Sequence, residues 1–183
     1  MKAYHGSDSN FKKLKISKNL VKRGSTKTNE GYGIYFSTDI EVAKSYGQYV
    51  YMLEINDEYL LNFKSIKVCR RYLYNIRLEI KKKYNLDIAD YIKLEEVAEY
   101  MKLGGLSICG TGRELYMMLD SNYKWYQDVS NTKIENVYRL LRNYDKKHLK
   151  AYTFNYHIPN IGVIKDVSED VVRIVKKEQR HLL

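Results

Sequence analysis

Gly33-Ile34-Tyr35-Phe36-Ser37-Thr38-Asp39-Ile40-Glu41-Val42-Ala43-Lys44-Ser45-Tyr46-Gly47 is the stretch on which the fold turns. Residues 34–37 have strand composition, with Tyr35 and Phe36 falling on opposite faces. Thr38 or Asp39 then offers a side-chain oxygen to the free N–H groups of a helix start, so an N-cap is expected there. Ile40, Ala43 and Tyr46 recur at three-residue spacing and share one helical face. The reading is a strand that passes at once into a helix over about 39–46, with Gly47 placed as its C-cap.

Working outward, residues 2–5 form a strand candidate that ends at Gly6. Residues 10–24 are basic and loosely periodic through Leu14, Ile16, Leu20 and Val21, which suits a short helix or an irregular segment. Residues 25–31 are polar and read as a loop. Tyr49-Val50-Tyr51-Met52-Leu53-Glu54-Ile55 has strand character, and Asn56-Asp57-Glu58 reads as a turn. From about residue 64 the pattern changes. Ile66, Leu73, Ile76 and Ile80 recur at helical spacing, and further helices are expected over 93–103, 111–120 and 132–144. Strand patterns return over 151–156, 161–164 and 171–175. Strands, then helices, then strands imply one α+β domain over 1–183, carrying a largely helical insert at about 64–148.

Composition narrows the class. The 183 residues fit one domain, and 44% apolar content supplies a core. No run approaches the 18 apolar residues of a membrane span. Residues 1–5 lack an apolar h-region and read as strand, so a monomer working in the cytoplasm of the producing or infected cell is the expectation. Cys69 and Cys109 fit no metal spacing and are expected to be two ordinary thiols. The formal charge of +10 attracts polyanions at long range. The 19 tyrosines and single proline fit an AT-rich genome better than an aromatic nucleic-acid platform.

Two segments carry chemistry: Tyr4-His5-Gly6-Ser7 and Gly33-Ile34-Tyr35-Phe36. A histidine at a strand end can bond a ribose hydroxyl pair, and Gly6 lets main-chain N–H and C=O groups approach a planar amide. Tyr35 and Tyr46, eleven residues apart, can flank a pyridinium ring, a cation between aromatic faces gaining about 1–2 kcal/mol when desolvated. Together they describe a pocket for the nicotinamide-ribose end of NAD. Taken singly, each has a plainer explanation. His5 alone fits a partly buried ring bonded to a backbone group, and the tyrosines alone fit the edge of a core.

Tyr4-His5-Gly6-Ser7, Gly33-Ile34-Tyr35-Phe36 and Ala43-Lys44-Ser45-Tyr46, in this order and spacing, resemble the diphtheria-toxin-like and poly(ADP-ribose)-polymerase-like branch of the ADP-ribosyltransferases. That branch is named for a His, Tyr, Glu triad. Asn10-Phe11 and Arg23 resemble the loop and helix after the family's histidine. Thr111-Gly112-Arg113-Glu114-Leu115-Tyr116 and Asn160-Ile161-Gly162-Val163-Ile164 are similar to domains of this family in bacteriophage and mobile-element proteins. Residues 64–110 match nothing in it. The resemblance implies an ADP-ribosyltransferase-like fold of split β-sheets. It implies His5, Tyr35 and Asn160 at the three catalytic positions. NAD would be held by His5, Gly6, Ser7, Asn10, Arg23, Gly33, Tyr35, Ala43 and Tyr46.

The third position departs from the family. The family's acid falls on or near Asn160, and an amide holds a hydroxyl but cannot act as a general base. Asn160 equally suits the turn after Pro159. Glu114 and Asp128 are the next carboxylates to consider. The resemblance implies cleavage of the nicotinamide–ribose bond, without a metal, and transfer of a single ADP-ribose to a protein or nucleic acid, as in a phage, toxin or defence effector. The alternatives are a catalytically weak NAD-binding module, an NAD glycohydrolase, and a basic nucleic-acid-binding domain.

Overall fold

A computed structural model describes residues 1–16, 33–90, 93–103, 140, 143–144, 147–153 and 161–180. The chain divides into two compact units, one of 1–27, 32–62 and 149–183, the other of 28–31 and 63–148.

Among the described residues the first unit is a mixed seven-stranded sheet with one short helix. Its strands are β1 (Lys2–Ser7), β2 (Ile34–Ser37), β3 (Tyr49–Ile55), β4 (Leu60–Asn62), β5 (Ala151–Thr153), β6 (Ile161–Ile164) and β7 (Val172–Gln179). The order across the sheet is β4-β5-β6-β2-β1-β3-β7. Neighbours are antiparallel except β4 and β5, which run parallel. Period-two alternation sends Ala3, Ile34, Phe36, Tyr51, Leu53 and Ile55 to one face, where they form the core with Leu14, Ala151, Ile164 and Val172. Fully burying a Leu53 or an Ile55 contributes about 1.5–3 kcal/mol each. Residues 11–16 are irregular rather than helical, and Leu14 reaches the core from them.

The split into two sheets is corrected in form. One hydrogen-bonded order joins all seven strands, but its two halves meet at a single β1–β2 register pair, Tyr4↔Ser37. By contrast β1 pairs with β3 along its whole length, from Lys2↔Glu54 to Ser7↔Tyr49.

Helix α1 (Ile40–Lys44) is shorter than the sequence reading. Asp39 is the N-cap, its carboxylate accepting from the Glu41 N–H at 2.9 Å. Gly47 is not the C-cap. Ser45 ends the helix in right-handed geometry. Gly47 instead lies where a Cβ would come within 2.2 Å of the Ser7 carbonyl carbon, so it is glycine for close approach. The last strand runs to Gln179 rather than stopping near 175, because β3 pairs with it as far as Tyr49↔Gln179. Pairing there overrides the low strand propensity of Lys176-Lys177-Glu178.

In the second unit, α2 (Ile66–Tyr84) buries Cys69, Tyr72, Leu73, Ile76 and Ile80. Helix α3 (Leu94–Leu103) buries Val97, Ala98 and Met101. Asn85, at φ 51, closes α2 in the left-handed region. Just beyond it, Asp87 takes a two-pronged bond from Arg77 at 2.7 and 2.8 Å and a third from Lys81 at 3.1 Å. These bonds hold its carboxyl well below the usual carboxylate range. The helix expected at 111–120 lies outside the described residues. Of the one expected at 132–144, residues 140 and 143–144 are described, and they are helical.

Candidate functional site

The β1–β2 junction is where His5, Gly6, Tyr35 and Tyr46 lie. Met1 exchanges both main-chain bonds with Ile55. In an antiparallel ladder this direction alternates, so Ala3, His5 and Ser7 also face β3. Lys2, Tyr4 and Gly6 therefore aim their main-chain groups toward β2. Tyr4 meets Ser37 there, and the ladder then stops. Gly6, next in register opposite Tyr35, forms no further pair, and its N–H and C=O point into the space between the strands.

His5 takes over at that point. Its Nδ1 lies 2.7 Å from the Tyr35 carbonyl oxygen. A carbonyl only accepts, so Nδ1 carries the proton and donates it. The Nε2 of the neutral ring is then an acceptor. Burial lowers the His5 pKa below 6.5, outweighing the opposite pull of the Tyr35 carbonyl. The ring is accordingly neutral near pH 7, and a hydroxyl donor suits its Nε2. The plainer reading of this histidine, a ring bonded to backbone, accounts for one nitrogen and leaves the other available for chemistry.

Two aromatic residues that the sequence reading did not assign to the site wall the imidazole. Phe11 and Tyr51 stack with centroids 3.9 Å apart and planes within 7°. Their centroids stand 6.1 and 6.3 Å from the His5 ring. The Tyr51 hydroxyl accepts from the Phe11 N–H at 2.9 Å and donates to the Ser9 carbonyl at 2.8 Å. It thereby latches the segment after β1 onto the sheet. Tyr51 stands directly opposite His5 in the β1–β3 register, which alternation within either strand does not disclose.

The tyrosines occupy the other face. By alternation Tyr35 shares a side with Tyr4, Gly6 and Ser37, the side that α1 covers. A Cβ on Gly6 would come within 1.8 Å of the Ala43 carbonyl oxygen and 3.0 Å of the Tyr46 Cβ. The glycine is therefore required by the end of α1, which is a different reason from ligand approach. The same packing plants Tyr46 against Gly6. With 56% of its surface exposed, Tyr46 is open to a stacking partner. The His5 ring and the two tyrosines thus border the β1–β2 gap from opposite faces.

The remaining candidates have other surroundings. Ser7 Oγ accepts from the Ser9 N–H at 3.1 Å and closes its own turn. Asn10 Oδ1 accepts from Lys177 Nζ on β7 at 2.7 Å. Gly33 packs against Val163 and Ile164 of β6. Ala43 is buried, and its carbonyl accepts from the Tyr46 N–H at 3.1 Å. Arg23, Asn160, Glu114 and Asp128 lie outside the described residues. Ile161, which follows Asn160 in the chain, pairs with Ser37 at the end of β2. Among the described residues no group of three or more His, Cys, Asp or Glu side chains could hold a metal ion. No described helix is long and apolar enough to cross a membrane.

No family model and no curated protein matches the chain. Among solved structures it is similar to one described as the crystal structure of an anti-CRISPR protein, at 13% identity, over 96% of this chain and 95% of that one, with a TM-score of 0.43.

Proposed function

We propose that this chain is an NAD-dependent mono-ADP-ribosyltransferase with an ADP-ribosyltransferase-like fold. It takes the nicotinamide-ribose end of NAD at the β1–β2 gap and passes one ADP-ribose to a protein or nucleic-acid acceptor. The observation that carries the reading is the His5–Tyr35 hydrogen bond at the point where the ladder stops. It fixes the proton on Nδ1 and turns Nε2 into an acceptor for a ribose hydroxyl. The Gly6 N–H and C=O, aimed into the same gap, match the carbonyl and amide of a carboxamide. Tyr35 and Tyr46 supply faces for a pyridinium, a contact of about 1–2 kcal/mol when desolvated.

The residues hold and orient more than they react. Fixed dipoles and a held geometry lower a barrier without a strong nucleophile on the protein. NAD is the co-substrate, and it supplies the bond that breaks, between nicotinamide and ribose. The amide at position 160 favours a second reading, an NAD-binding module or slow glycohydrolase, because an amide cannot take a proton from an acceptor. Incubation with adenylate-labelled NAD and cell lysate separates them. Nicotinamide release with labelled macromolecule is expected for transfer. Release with free ADP-ribose alone indicates the glycohydrolase, and binding with no release indicates the module.

A further inference from the structure

Helix α2 carries an uneven share of the charge. Its 19 residues hold seven basic side chains and one acidic, Glu79, a net of +6 out of the chain's +10. Arg70 is paired with Glu95 and Glu99, and Arg77 and Lys81 with Asp87. Lys83 sits over the Tyr84 ring at 5.1 Å. Lys67, Arg71 and Lys82 have no carboxylate partner among the described residues. These three share one outward face with Tyr74 and Leu78, because 67, 71, 74, 78 and 82 advance by three or four residues. The stripe is about 22 Å long at the helical rise.

Two features set it apart from an ordinary solvated face. Tyr74 and Leu78 are 55% and 48% exposed between the cations, leaving a ring and an apolar side chain open to solvent. Lys67 also stands in the first turn, where the helix dipole disfavours a cation. That turn has no acidic residue, and Ser65 makes no side-chain cap. Among the described residues a positive charge there has no carboxylate partner, and it gains from an anion outside.

We propose that this face of α2 docks single-stranded nucleic acid, with phosphates on Lys67, Arg71 and Lys82 and a base stacked on Tyr74. The charge selects a polyanion. The exposed ring selects a single strand, whose base faces are free to stack, over a duplex, where they are not. The inference is independent of the NAD reading.

The test is a fluorescence-anisotropy titration of the full chain, without NAD, against a labelled mixed-sequence single-stranded oligonucleotide at several salt concentrations. The triple variant Lys67→Gln, Arg71→Gln, Lys82→Gln is expected to flatten the slope of log affinity against log salt by about 2, at ~0.7 per lost phosphate contact. Tyr74→Ala is expected to weaken binding roughly fivefold or more, and Tyr74→Phe to restore it. All four positions are exposed, so far-UV circular dichroism is expected to stay unchanged. The proposal is overturned by a triple variant that binds like the parent, or by a Tyr74→Ala variant without effect. It is equally overturned by a parent that prefers duplex or phosphatidylserine vesicles to the single strand.

Discussion

His5 owes its proton arrangement to two neighbours on different strands. The Tyr35 carbonyl fixes the tautomer, and the Phe11–Tyr51 stack walls one side of the ring. The Tyr51 hydroxyl holds that stack in place through two bonds. Tyr51→Phe keeps the ring and removes both bonds, a loss of about 1–3 kcal/mol in stability. With the latch gone the His5 pKa is expected to rise toward 6.5 in an NMR titration, its signal assigned with a His5→Gln variant. An unshifted pKa would show that Tyr51 does not control the imidazole. Part of this residue-scale picture was legible beforehand. The types and spacing of His5, Gly6, Tyr35 and Tyr46 pointed to one pocket; the structure bonds His5 to the Tyr35 carbonyl and packs Tyr46 against Gly6, and NAD binding by them is the proposal. The role of Tyr51 was not legible, because it depends on which residue the β1–β3 register sets opposite His5. A packing reason for Gly6 was not legible either, since it depends on the end of α1 lying where a Cβ would stand.

Helix α1 is only five residues long, too short to persist without its cap and its packing. Asp39→Ala removes the bond to the Glu41 N–H and is expected to cost about 1 kcal/mol. Gly6→Ala is expected to cost about 1–3 kcal/mol, because the added methyl meets the Ala43 main chain at 1.8 Å. Denaturant melts check both costs. Moving α1 also moves Tyr46, so Gly6→Ala is expected to lose NAD affinity by calorimetry. In α2, burial pushes the Cys69 thiol up to about 11, and its sulfur lies 3.1 Å from the Phe63 carbonyl, to which the thiol donates. In a Cys109→Ser background Cys69 is expected to resist a thiol reagent at neutral pH until denaturant is added. Rapid native labelling would contradict its burial. At this scale the cap at Asp39 and the helices at α2 and α3 were readable from local chemistry. Strand β4, three residues long, and the polar end of β7 were not, because partner strands distant in sequence impose them.

Across the whole molecule, the succession of strands, helices and strands made an α+β class legible. The sheet order was not, because it joins residues more than a hundred positions apart, as in Ile34↔Ile164. Titration adds a check on the assembled chain. His5 binds protons less readily folded than unfolded, so its contribution to stability is complete above pH 6.5 and declines as pH falls below it. Asp87 and Asp166 have lowered pKa values, Asp87 through Arg77 and Asp166 through Lys150. Their contributions are complete above the ordinary carboxylate range and are lost only in stronger acid. Melting temperature is expected to begin falling below pH 6.5, and His5→Gln to remove that first step while leaving the acid one. The most direct measurement on the central claim is isothermal calorimetry of NAD binding to the full chain, repeated with His5→Ala and Tyr46→Ala. The account predicts saturable binding to the parent, weakened tenfold or more by His5→Ala and roughly fivefold or more by Tyr46→Ala, with β-sheet circular dichroism unchanged. No binding to the parent, or binding that both variants leave intact, would contradict a nicotinamide-ribose site at the β1–β2 gap.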